Sequence, residues 1–170
     1  TLLADGVELM PYDVVVEEVE KWPCGTPIFI DGNILNYALY EEVIRHFGPA
    51  VIDEVSPVKL EKSIKNEVEI AGFRRAYVKD GVALTRFFYW LEKAMERGER
   101  ITEIDASDKL ISFRKEMDGY LDESFSPISA YGKNAALPHY SATAAQCSVL
   151  EPRGLYLLDS GAHYLDGSTD

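Results

Sequence analysis

Cysteine is nearly missing from this 170-residue chain, basic residues are outnumbered, and no long apolar run occurs. The two cysteines, Cys24 and Cys147, form neither a disulfide framework nor a C-x-x-C ligand pair, so both are expected as reduced, buried thiols. No stretch approaches the ~20 apolar residues that a spanning helix needs. Thr1 begins neither with Met nor with a basic-then-apolar leader, which predicts a chain internal at its start and intracellular. Lysine and arginine number 17 against 29 aspartates and glutamates, a formal net charge of −12 that is spread along the chain. Such a surface favours solubility and repels polyanions, so neither nucleic acid nor a membrane is an expected partner. Internal repeats and low-complexity tracts are absent as well.

What remains is ordinary globular material, 46% hydrophobic and 27% charged, enough for one domain or for a small domain plus a piece of another. Residues 12–22 read as a short helix and "TPIFID" (26–31) as a buried strand. Asn33 is the expected N-cap of a helix running to about Phe47, and "AVIDEV" follows as a second strand. Two short strands do not make a stable sheet, so residues 1–56 read as the end of an α/β domain. From Pro57 the chain turns helical. Asn66 and Glu69 have the form of a capping box, and Ile70, Phe73, Tyr77, Leu84, Phe88, Leu91 and Met95 recur at helical spacing as the expected buried face. Gly81 interrupts that stripe and predicts close packing or a kink. Gly98 is the expected stop, and Thr102–Asp105 opens a second helix with Ala106, Leu110, Phe113 and Met117 inward. Beyond Ser124 short strand-like segments separated by Gly, Pro, Asn and Asp predict an antiparallel sheet, hence an α+β arrangement.

The chain closes on "YLLDSGAHYLDGSTD", with aspartates at 159 and 170. Taken alone, both read as turn and edge-strand residues. A two-residue turn at Asp166-Gly167 would set Asp170 opposite His163, with Asp159 on the same sheet face. Four residues of straight strand would then hold the carboxylates ~13 Å apart. They meet at one metal only if the strand bends, and Gly161 is the least costly place for that. His139, in "ALPHYSA", is expected on a strand just after Pro138, where a lone histidine is ordinarily structural. Tyr140 and Tyr164 read as packing aromatics with a polar tip.

The runs "IKNEVEIAGFRRAYVKDGVALTRFFYWLEK", "TEIDASDKLISFRKE", "SFSPISAYGKNAALPHYSA" and, most specifically, "LLDSGAHYLDGSTD" resemble, over about 57–170, the Xaa-Pro aminopeptidases, aminopeptidase P of the larger cytosolic type. The resemblance implies that 57–170 is the N-terminal half of a pita-bread (creatinase/aminopeptidase-like) catalytic domain. It implies that 1–56 is the C-terminal part of that family's α/β, ribonuclease H-like middle domain. It assigns Asp159 and Asp170 as two of five ligands to a pair of divalent ions, manganese first with zinc or cobalt as alternatives. His139 is implied to touch substrate and to assist proton movement. The remaining ligands, one His and two Glu, would come from later sequence, so the chain is expected to be an internal fragment, inactive by itself. The expected partners are peptides with proline in the second position, and the expected complete protein is a cytoplasmic homodimer.

Carboxylates suit such ions: hard oxygen ligands match manganese, and a bridging hydroxide would attack the carbonyl before proline. The Xaa-Pro bond has no N–H to grip, so a metal clamp with a proline pocket is a fitting solution. Ala135 and Lys133 stand where many relatives carry Gly and Pro. A prolidase-like dipeptidase and a non-catalytic peptide- or protein-binding module on the same fold are the alternative readings.

Overall fold

The structure, a computed structural model, describes residues 5–170. The chain divides into two compact units, Thr1–Ile64 and Lys65–Asp170. The sequence reading sets its boundary eight residues earlier, at 56/57.

In the first unit a 3-10 turn, Tyr12–Val14, leads into α1 (Val15–Glu20), followed by β1 (Ile28–Ile30), α2 (Tyr37–Phe47), β2 (Val51–Asp53) and α3 (Pro57–Ser63). The strands are parallel, with Ile28 beside Val51 and Ile30 beside Asp53, as a strand-helix-strand unit requires. Ile30, Val43 and Phe47 form its core. The N-cap of α2 is Asn36, not Asn33: Asn36 Oδ1 accepts from Ala38 N at 3.0 Å. Asn33 is held instead by Asp31, whose Oδ1 accepts from Asn33 N at 3.2 Å. That local bond keeps the chain in a turn for three more residues. Cys24 and Cys147 are both free thiols, yet Cys24 is exposed and Cys147 half-buried, against the expectation of burial.

The second unit begins with α4 (Glu67–Glu96) and α5 (Glu103–Lys115). Asn66 and Glu69 exchange both capping-box hydrogen bonds, and Thr102 with Asp105 repeats the device at α5. Gly98, at φ +71°, follows the last turn of α4 where a left-handed residue is needed. The buried face of α4 is not the expected stripe. Gly72, Ala76, Asp80, Ala83, Phe87 and Ala94 are buried, Phe73, Leu84, Leu91 and Met95 flank them, and Ile70, Tyr77 and Phe88 lie exposed. Small residues at Gly72, Ala76 and Ala83 line most of this face, with the Asp166 carbonyl passing directly over Gly72, and Phe87 is its one large apolar side chain. Gly81 is exposed in an unbroken helix and supplies neither close packing nor a kink.

Five further strands follow among the described residues. β3 (Tyr120–Glu123), β6 (Ala162–Tyr164) and β7 (Gly167–Ser168) form one antiparallel sheet, and β4 (Ile128–Tyr131) pairs antiparallel with β5 (Tyr156–Asp159) in another. Phe87, Ala94, Ile101, Ala106, Leu110 and Leu150 form the main core between the helices and β4–β5. Fully buried Phe87 and Leu110 each contribute about 1.5–3 kcal/mol. A second cluster, Ala76, Ala162 and Tyr164, seats the three-stranded sheet on α4.

Candidate metal centre

Between β5 and β6 the chain leaves one sheet for the other, and Ser160-Gly161 makes that corner. No larger residue fits: a Cβ on Gly161 would collide with the Thr169 carbonyl and Ser124 Oγ. The bend expected at Gly161 is therefore present, and Asp159 sits at its near end as the last residue of β5, paired with Ile128.

The hairpin that follows turns one residue earlier than the sequence suggests. Tyr164 pairs with Gly167 and His163 with Ser168, leaving Leu165-Asp166 as the turn. Thr169 N donates to Ala162 O at 2.9 Å, so the next step along the ladder sets Asp170 beside Gly161 rather than opposite His163. His163 is occupied by Ser168, with Nδ1 and Oγ 2.6 Å apart. The turn moves because α4 holds it. Lys79 Nζ lies 2.6 Å from Asp166 Oδ2 and Arg75 Nη2 3.3 Å from Oδ1, while Gly72 and Gly167 permit backbone contact with the helix. The hydrogen bond from Lys79, then that from Arg75, keeps the Asp166 carboxyl below its usual range. The consequence is favourable to a shared ion: the ladder sets Asp170 beside a residue two positions from Asp159 instead of four.

Arg114 fixes this corner from inside. It is fully buried and uses all five N–H donors. Nε and Nη2 reach Asp80 at 2.7 and 3.2 Å, Nη1 reaches Glu123 at 2.5 Å and Gly161 O at 3.3 Å, and Nη2 also reaches Ser160 Oγ at 3.1 Å. Burial lowers the guanidinium's pKa and the Asp80 and Glu123 carboxylates more than restore it, so it stays charged. Tyr164 OH donates to Asp80 at 3.2 Å and Tyr120 OH to Glu123 at 2.9 Å. Ser124 ties the two strands together, its N donating to Gly161 O at 3.0 Å and its Oγ to Thr169 O at 3.0 Å.

His139 is not on a strand. The segment forms a 3-10 helix, Gly132–Ala136, and then a turn closed by Tyr140 N donating to Leu137 O at 3.2 Å. Pro138 and His139 are its central residues, and His139 has φ +57°, the one non-glycine residue at positive φ among those described. Proline pre-sets the first position of a type II turn, and the second demands a left-handed backbone that costs a histidine energy. The imidazole is exposed. Buried Glu103 anchors the segment on both sides of the turn: it accepts from Tyr131 N at 2.6 Å, Asn134 Nδ2 at 3.0 Å, Tyr140 OH at 2.8 Å and Ser148 N at 2.7 Å. Burial would raise its pKa, but these bonds prevail and hold it below the usual range. Tyr140, buried against that carboxylate, is pushed up to about 12.

The side chains of Asp159 and Asp170 differ from all these carboxylates. Both are exposed, and neither takes a hydrogen bond or ion pair from a described residue. Their oxygens are free for a hard cation and fit one in chemistry. Among the described residues no three His, Cys, Asp or Glu side chains converge on one point. Sequence reasoning missed Arg114, Asp80, Glu103 and Glu123. One signal was available: Asp80 falls in step with Ala76, Ala83 and Phe87 on one helical face.

A family model described as metallopeptidase family M24 matches residues 71–170. Aminopeptidase P2 of Arabidopsis thaliana is 34% identical over 97% of this chain and 27% of its own length. A probable Xaa-Pro aminopeptidase P of Arthroderma otae is 38% identical over 99% of the chain and 28% of its own. The chain thus spans little more than a quarter of the length of these two curated relatives. Among solved structures, the X-prolyl aminopeptidase from Caenorhabditis elegans, a cytosolic enzyme with a di-nuclear active site, superposes with TM-score 0.87 at 33% identity over 99% of this chain and 28% of that one. The Xaa-Pro dipeptidase from Bacillus anthracis gives 0.67 at 25% identity over 88% and 40%.

Proposed function

Since the chain belongs to metallopeptidase family M24, we propose that its protein is a dinuclear metal-dependent aminopeptidase that removes an N-terminal residue preceding proline. Its second unit has the α+β pita-bread architecture shared with the aminopeptidase and dipeptidase structures. The reading rests above all on Asp159 and Asp170, two exposed carboxylates without partners among the described residues, which the register of the last hairpin brings within two strand positions of each other at the Gly161 corner.

In this reading Asp159 and Asp170 hold divalent ions, manganese being our choice. When bound, such a pair polarises the scissile carbonyl and acidifies a shared water. His139, presented by its left-handed turn, contacts the peptide and carries a proton to or from it. Glu103 holds the turn in place through Tyr140 and Asn134. The setting is cytoplasmic and the assembly a homodimer. Expressed by itself, the 170-residue chain offers two of the required ligands and is expected to turn over no peptide.

Hydrolysis by the full-length protein of Xaa-Pro-Pro and Xaa-Pro peptides, before and after chelation, is the test. Release of the first residue from the longer peptide, lost on chelation and restored by manganese, is expected. Cleavage of the dipeptide alone would replace this reading by the dipeptidase one, which the likeness to the Bacillus anthracis enzyme keeps as second choice. Peptide binding without hydrolysis would favour the non-catalytic module.

A further inference from the structure

We propose that Arg114 is a positioning residue of the metal centre, setting the separation of the Asp159 and Asp170 carboxylates by clamping the corner between them; this rests on the ligand reading given above. The corner lies between one ligand and the strand position that faces the other. Arg114 grips it at two consecutive residues, Ser160 Oγ at 3.1 Å and Gly161 O at 3.3 Å. Gly161 is the residue beside which the ladder sets Asp170, and Ser160 directly follows Asp159. The clamp has a rigid base: Asp80 on α4 and Glu123 on β3 fix the guanidinium, and Tyr164 and Tyr120 fix those carboxylates in turn.

Charge is arranged so that the clamp does not repel cations. One guanidinium faces two carboxylates, leaving the buried group formally −1 beside a site meant for positive ions. The planar fork matters more than the charge. Lysine offers three donors from one point and cannot span Asp80, Glu123 and the corner together.

The test is manganese titration of the metal-free full-length protein by calorimetry, with unfolding temperature recorded alongside. Ser160→Ala removes only one contact of the clamp and leaves the Asp80 and Glu123 pairs intact. Arg114→Lys keeps the charge and loses the fork. Both are expected to weaken manganese binding about 10- to 100-fold, the range for groups that orient ligands, while Ser160→Ala melts as the wild type does. Asp170→Asn serves as reference and should lose at least one ion. Wild-type affinity in Ser160→Ala and in any folded Arg114→Lys, with Asp170→Asn defective, would overturn the positioning role and leave the ligand reading standing. Wild-type binding by Asp170→Asn would remove the ligand reading and this proposal together.

Discussion

Lys79 on α4 and Asp166 at the hairpin tip stand 2.6 Å apart, which ties the last hairpin to the helix. Local sequence favours a turn at Asp166-Gly167, which would send Asp170 to His163. The ion pair and the close passage of the Asp166 carbonyl over Gly72 draw the turn back to Leu165-Asp166.

Two glycines of α4 should therefore respond oppositely to alanine. A Cβ at Gly72 would run into the Asp166 carbonyl, whereas at Gly81 it would meet nothing within 4 Å. Gly81→Ala should stabilise by up to about 1 kcal/mol through helix propensity. Gly72→Ala should destabilise and loosen the hairpin, seen as faster amide exchange at Tyr164 and Thr169. Equal effects from the two substitutions would contradict the contact.

Asp80 makes the next prediction. With Arg114 at 0% and Asp80 at 4% exposure, Asp80→Ala leaves a buried guanidinium short of its bidentate partner. The expected loss is roughly 3–5 kcal/mol, read from amide exchange of α4 and α5 in the full-length protein at increasing urea. A loss below about 1 kcal/mol, the size of an exposed pair, would show that solvent reaches Arg114.

The history of these residues shows what could be read in advance. Asn66 and Glu69 were legible because a capping box is local: both partners and the bonds between them lie within one helical turn. The bend at Gly161 was legible from glycine's steric freedom. The register was not, because Lys79, Arg75 and Gly72 act on Asp166 from about ninety residues away. Arg114 and Glu103 escaped notice for a related reason: a charge in a sequence reads as surface, and its burial depends on partners such as Asp80 or Tyr140 that only the fold assembles.

Glu103 should make stability depend on pH. Its folded pKa is depressed, so its contribution is fully present above the unfolded carboxyl pKa of about 4.3. It is lost as pH falls through that value to the folded one. Glu103→Gln should thus be clearly less stable than wild type at pH 7, and the gap should narrow below about pH 4. A gap constant from neutral to acid would mean that the carboxylate's charge is irrelevant to the loop.

At His139, chemistry and backbone strain can be separated. His139→Ala should lower kcat of the full-length protein by roughly 10² to 10⁴ with metal content unchanged. His139→Gly should be as inactive yet melt higher, because glycine accepts φ +57° without cost. Wild-type turnover in either variant would return His139 to a structural role.

The central claim is that Asp159 and Asp170 hold the same pair of ions. Crystals of the full-length protein soaked in manganese and measured at its absorption edge test this most directly. Two anomalous peaks are predicted, with both carboxylates in contact with them. Peaks elsewhere, or a peak touching one aspartate while the other points away, would contradict the account.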